Sequence, residues 1–133
     1  MADTIFAGVD LLTLSACSTG LGDVRNSDGS EVEGFGVLAQ LKGAKAVIAS
    51  LWPVADQSTS VLMRELYRAR ESNVSVTKVD ALRRAQLRLL NGSIKPEGPA
   101  AERGVKVSGA AKKERDYRHP YYWAPFFLMG NWL

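Results

Sequence analysis

Residues 9–20 read Val9-Asp10-Leu11-Leu12-Thr13-Leu14-Ser15-Ala16-Cys17-Ser18-Thr19-Gly20. From Val9 to Ala16 the run is short, apolar and rich in strand formers, and it gives way to small polar residues, so it predicts a buried strand ending in a loop. Cys17 then stands at the carboxyl end of a strand. Beyond it, Gly20-Leu21-Gly22-Asp23 and Asn26-Ser27-Asp28-Gly29-Ser30 are dense in turn formers and predict an exposed loop. Phe35, Leu38 and Leu41 are spaced as one helix face, and Gly43 is placed to end that helix. Ala46-Val47-Ile48-Ala49-Ser50-Leu51-Trp52 predicts a second buried strand, stopped by Pro53, which has no N–H to give a ladder. Strand, helix and strand in this order make a parallel crossover.

Asp56 or Ser58 can cap the next helix, whose apolar positions Leu62, Leu66 and Ala69 recur at helical spacing. Thr77 with Asp80 three residues on resembles a capping box, and Val79, Leu82 and Leu89 carry a further amphipathic helix to Asn91-Gly92. From Ser93 to about Arg118 the composition shifts to Gly, Pro, Ala, Lys and Glu with almost no large apolar residue, which predicts a flexible insertion over about 93–118. Tyr121, Tyr122, Trp123, Phe126, Phe127, Leu128 and Met129 then gather aromatic and apolar bulk, and the expectation is a final core strand. The alternation predicts an α/β class with a mostly parallel sheet, in one unit spanning residues 1–133. Three strands are thin for a self-sufficient sheet of that kind.

Of the 133 residues, 46% are hydrophobic and 23% charged, an ordinary balance for a globular chain. The net charge of +3 conceals an asymmetry, because residues 1–60 hold 7 of the 14 acidic side chains but only 3 of the 17 basic ones. The basic excess falls on helix faces and in a polar segment, without the interleaved aromatics that a stacking platform for bases needs, so nucleic acid is not an expected partner. One cysteine excludes an intrachain disulfide and suits a reducing compartment. Met1 to Leu14 lacks the basic start and cleavage site of a signal peptide, and no apolar stretch is long enough for a span. These readings predict a cytoplasmic protein away from membranes. Gly20 and Gly22 lack the spacing of a phosphate-binding fingerprint, and no Cys/His cluster suits zinc, so no cofactor is expected.

Three segments carry a resemblance. Leu11-Leu12-Thr13-Leu14-Ser15-Ala16-Cys17-Ser18-Thr19-Gly20, Val47-Ile48-Ala49-Ser50-Leu51-Trp52-Pro53-Val54-Ala55-Asp56, and His119-Pro120-Tyr121-Tyr122-Trp123-Ala124-Pro125-Phe126-Phe127 together resemble the CHAT domain family, caspase-like clan CD cysteine peptidases related to separases. The likeness is to the C-terminal half of such a domain. It implies a caspase-hemoglobinase-like three-layer α/β/α fold whose N-terminal strands are missing here, with a His–Cys dyad at the carboxyl ends of neighbouring strands. Cys17 takes the nucleophile's place. The family's histidine follows an earlier strand, and nothing before Cys17 supplies it. His119, the sole histidine, comes after the cysteine and immediately before Pro120, where a structural role is expected.

Trp52-Pro53-Val54-Ala55-Asp56 is also similar to the separase stretch whose acidic residue contacts a P1 arginine, making Asp56 a candidate selector of arginine through a carboxylate–guanidinium pair, or else a helix cap. The resemblance implies a truncated cysteine endopeptidase module acting on protein or peptide substrates, inactive as the isolated chain and governed by a tetratricopeptide-type repeat region or partner protein. A rival expectation is a non-catalytic scaffold half-domain, completed by a partner chain that pairs with the open first strand.

Overall fold

A computed structural model describes residues 4–14, 30–94 and 116–133. The described elements run β1 (Leu12–Leu14), α1 (Ser30–Leu41), β2 (Ala46–Ser50), α2 (Asp56–Ser72), α3 (Lys78–Leu90), a single 3-10 turn (Pro120–Tyr122) and β3 (Phe126–Gly130). They make a small mixed α/β unit around one sheet of order β1-β2-β3.

β1 and β2 are parallel, with Leu12 opposite Val47 and Leu14 opposite Ala49, as the crossover requires. The expectation of a mostly parallel sheet is corrected at β3, which runs antiparallel to β2 with Phe126 opposite Ser50 and Gly130 opposite Ala46. After α3 the chain returns to the carboxyl end of β2 before pairing, so its last strand runs back down the sheet without a crossover helix. Among the described strands β3 is also an edge strand. The Tyr-Tyr-Trp residues lie outside it: Pro120 opens the 3-10 turn, and Pro125, which has no N–H, delays the ladder until Phe126.

Neighbouring residues of β2 point to opposite faces and divide the core. Ile48 lies with Leu62, Leu66, Leu82, Ala85, Leu89 and Phe126 on the side of α2 and α3. Val47 lies with Ala39 and Ala44, flanked by Phe6, Leu12, Leu14 and Met129, on the side of α1. Every residue of β2 is buried.

α1 is turned differently from the expectation. Phe35, Leu38 and Leu41 share a side of the helix, but all three are exposed. The sheet side is held by Gly36 and Ala39, and a Cβ on Gly36 would collide with the Met129 side chain. Small residues bring the helix axis close to the strands, which the large ones would prevent. Gly43 ends α1 as expected: at φ +107 it closes a Schellman pair, Gly43 N–H to Gln40 O and Ala44 N–H to Ala39 O, both 3.0 Å.

α2 begins without a side-chain cap. Ala55 occupies the cap position, Asp56 is the first helical residue, and the Ser58 hydroxyl donates back to Ala55 O at 2.8 Å. Neither expected cap therefore forms, and Asp56 contributes only a negative charge to the first turn, where the helix dipole favours it. α3 does carry its predicted cap, with Asp80 N–H donating to Thr77 Oγ1 (3.1 Å) and that hydroxyl donating to Asp80 Oδ2 (2.9 Å). Val79 is exposed, and Ala81 and Ala85 join Leu82 and Leu89 in the core instead.

The expected insertion falls mostly on residues outside those described, but its margins are corrected. Ile94 packs against the core and Tyr117 is buried within it. The Arg118 side chain lies beside Gly92.

At the amino end of the sheet Asp10 gathers three cations, Arg70 at 2.9 Å, Lys78 at 3.2 Å and Lys45 at 3.9 Å. Lys78 is itself buried and also donates to Leu133 O. The hydrogen bond from Arg70 is the largest influence on the Asp10 carboxyl; burial opposes it, and the hydrogen bond and charge of Lys78 then help to hold the group below its usual value. A depressed folded pKa gives stability that is present above the unfolded carboxylate value of about 3.9 and is lost as pH falls through the lower folded value. Acid titration of unfolding should therefore show a limb below about pH 4 that Asp10→Asn flattens; an unchanged limb would remove Asp10 from the cause. Its side chain is half exposed, so solvent screening keeps the effect modest.

Candidate active site

Because β1 and β2 are parallel, their carboxyl ends open onto one rim of the sheet, the placement in which α/β folds put their sites. Cys17 lies outside the described residues. Asp56 is on this rim, exposed, after the loop 51–55, and among the described residues its carboxylate has no hydrogen-bond or ion-pair partner.

The two later motif segments meet here. Leu51 N–H donates to Pro125 O at 3.1 Å, directly after the β2–β3 ladder. The Trp52 indole donates to Tyr121 O at 3.0 Å, and the Tyr121 hydroxyl donates back to Pro53 O at 2.8 Å. The two rings stack with centroids 6.2 Å apart. Tyr122 stands edge-on to both Tyr121 and Tyr117, and the Tyr117 hydroxyl donates to Gln57 Oε1 beside Asp56, at 3.4 Å. The loop leading to Asp56 is thus latched to the segment before β3 at several points.

Two side chains that the sequence reading passed over complete the latch. Gln86, on α3, donates from Nε2 to both Trp123 O and Phe126 O at 3.0 Å, and Tyr117 anchors the segment's start. A glutamine among apolar helix positions, and a tyrosine closing a polar stretch, were the only signals of either.

His119 takes the structural role expected of it. It precedes the 3-10 turn, and its Nδ1 accepts the Tyr121 N–H at 3.2 Å. Neighbouring Asp116 is pulled down to about 2, first by the side-chain hydrogen bond from Arg118. Among the described residues no group of three His, Cys, Asp or Glu is placed to hold a metal ion, and no helix is long and apolar enough to cross a membrane.

Tyr121→Phe removes the bond to Pro53 while keeping the ring. It should lower the unfolding free energy by about 1 kcal/mol in urea titrations, the usual worth of one hydrogen bond. No change would mean that the stacked rings alone hold the latch.

The parallel pair β1–β2, with the loop after β2 latched to the segment before β3, defines a mixed α/β domain with a site-forming rim. The CHAT domain family model matches residues 1–131, nearly the whole chain, and the protein belongs to the CHAT domain family. No match was found among curated proteins or among solved structures.

Proposed function

We propose that the chain is the nucleophile-bearing part of a CHAT-type cysteine endopeptidase module, cleaving protein substrates after arginine, with Cys17 the nucleophile and Asp56 the arginine selector. What carries the reading is the common rim: Asp56 stands there free, and Cys17 follows Leu14, the last residue of β1, by three residues. The two core clusters on opposite sides of β2 suit the three-layer α/β/α arrangement.

In this chemistry the Cys17 thiolate attacks the carbonyl carbon of the scissile peptide, and the carbonyl oxygen becomes an oxyanion held by nearby backbone N–H groups. Collapse of the adduct breaks the C–N bond, and a histidine gives the leaving amine its proton. Water then hydrolyses the thioester and restores the thiol. That histidine comes from another segment, upstream in the family's order or on a partner, since His119 is committed to its own turn. Attached or partner helical-repeat proteins are the proposed regulators, and the setting is the cytoplasm.

The test is to supply the histidine-bearing preceding part of a CHAT domain and assay arginine peptides. Cys17→Ala should abolish cleavage, and Asp56→Ala should lower kcat/KM for arginine substrates by roughly 10–100-fold, the cost of an unpaired guanidinium. Equal cleavage with and without the thiol would sink the peptidase reading. The second reading, a scaffold half-domain, has its own observation: among the described residues the outer edge of β1 is unpaired. Strand pairing by a partner that survives Cys17→Ala, with no cleavage by either form, would favour it.

A further inference from the structure

Among the described residues, α1 and α3 each present to solvent a stripe of side chains that no other element covers. At about 100° per residue, Gly34, Val37, Leu38 and Leu41 fall within a single arc of α1, at the i, i+3, i+4, i+7 spacing of a buried helix face. Val37 and Leu38 are 49% exposed and Leu41 71%. Gly34 sits among them with open space above it, so another backbone can come close. On α3, Val79, Arg83, Leu87 and Leu90 fall within a similar arc, and all are exposed. Trp132, also exposed, lies at the start of that stripe, its carbonyl accepting the Val79 N–H.

The two stripes differ in charge. α1 contains Glu31 and Glu33 and no basic residue. On α3, Lys78 and Arg88 are taken up by Asp10 and Glu65, while the exposed Arg83 and Arg84 have no ion-pair partner among the described residues. They also lie on opposite sides of the sheet, α1 over Val47 and α3 over Ile48, so no rearrangement within one molecule brings them together.

We infer that the occupant of each stripe is a second copy of this chain, with α1 of one molecule packed on α3 of the next. Apolar side chains supply the buried area, and the exposed Glu33 faces Arg83 and Arg84 across the contact. Like stripes pairing with each other would set two acidic or two basic edges together, which the opposite-sign arrangement avoids. Such a contact is heterologous, so each molecule keeps one stripe free and assembly continues head to tail. The inference does not depend on peptidase activity.

Sedimentation velocity of the full chain over a concentration series tests it. The wild type should form a growing series of oligomers, and raising the salt should weaken it through the charged edges. Leu38→Glu and Leu87→Glu, both at exposed positions, should each weaken association at least tenfold while leaving circular dichroism unchanged. Mixed together they should give a dimer and nothing larger, because one retains a working α3 stripe and the other a working α1 stripe. Val37→Ser and Leu90→Ser repeat the pair should either glutamate variant fail to fold. A wild type that stays monomeric overturns the inference and leaves the stripes to another segment or partner. Oligomers lost with Leu38→Glu but untouched by Leu87→Glu overturn it in favour of α1–α1 pairing, and a mixture that remains monomeric does so equally.

Discussion

Ile48→Ala should lower the unfolding free energy by about 3–4 kcal/mol, within the 2–5 kcal/mol span of buried isoleucine truncations. Ile48 has no solvent exposure, and it sits mid-strand in the central strand, between Thr13 of β1 and Leu128 of β3. Both neighbours are fixed by ladder hydrogen bonds, so the surroundings collapse little into the space left, and the cavity cost adds to the lost transfer energy. Leu62, Leu66 and Leu89 border the same space and lose their contacts with it. Against a total stability of about 5–15 kcal/mol, a loss of this size leaves little margin for a small unit. A urea midpoint compared at constant m measures it, with Val74→Ala, at 99% exposure, as the silent control. A change below about 1 kcal/mol would mean that α2 and α3 do not rest on β2 through this side chain.

Arg88→Ala should cost about 2–3 kcal/mol, more than deleting the charge it serves. Glu65 is 4% exposed on α2, and its carboxylate receives Arg88 at 2.5 Å and Arg68 at 3.4 Å. Those arginines are 49% and 65% exposed. Remove Arg88, and a buried anion is left with the longer and more solvated of its two partners. Remove the anion by Glu65→Leu, and the arginines turn to water while an apolar group fills the site, a change expected to be within about 1 kcal/mol of neutral. The order of the two effects is the test. A Glu65→Leu loss exceeding that of Arg88→Ala would show that the pair contributes net stability instead of merely compensating its own burial.

The central features of the fold were legible because they rest on local chemistry. Strands at Leu12–Leu14 and Ala46–Ser50 follow from apolar runs closed by turn formers, although only the second is buried as expected and the first is half-buried, and the helix ends at Gly43 and Thr77 follow from glycine's tolerance of positive φ and a hydroxyl's reach to a backbone N–H. The family assignment was legible too, on three segments that the fold brings to one sheet, and the family model matches them as part of residues 1–131.

What failed depended on the rest of the molecule. The spacing of Phe35, Leu38 and Leu41 marks a helix face but not which way it turns, and close approach to Met129 gave the sheet side to Gly36 and Ala39. The direction of β3 was set by where α3 and Tyr117 return the chain, a non-local fact. Asp56 read as a helix cap or an arginine selector, and geometry set aside the first by placing Ala55 at the cap, with no partner for the carboxylate among the described residues. Gln86, with two long-range bonds, and Tyr117, with one, hold the rim through contacts that leave no periodic trace.

Gly92 lies beside Arg118, and Ile94 and Tyr117 are both held by the core, so the described residues on either side of 95–115 stand close together and are fixed by their own contacts. Lengthening a connection between two such fixed points costs only about 0.6 kcal/mol per doubling, because closure entropy grows with the logarithm of length. The domain therefore carries a natural splice point, where a binding module or reporter could be grafted without disturbing either the sheet or the Trp52–Tyr121 latch.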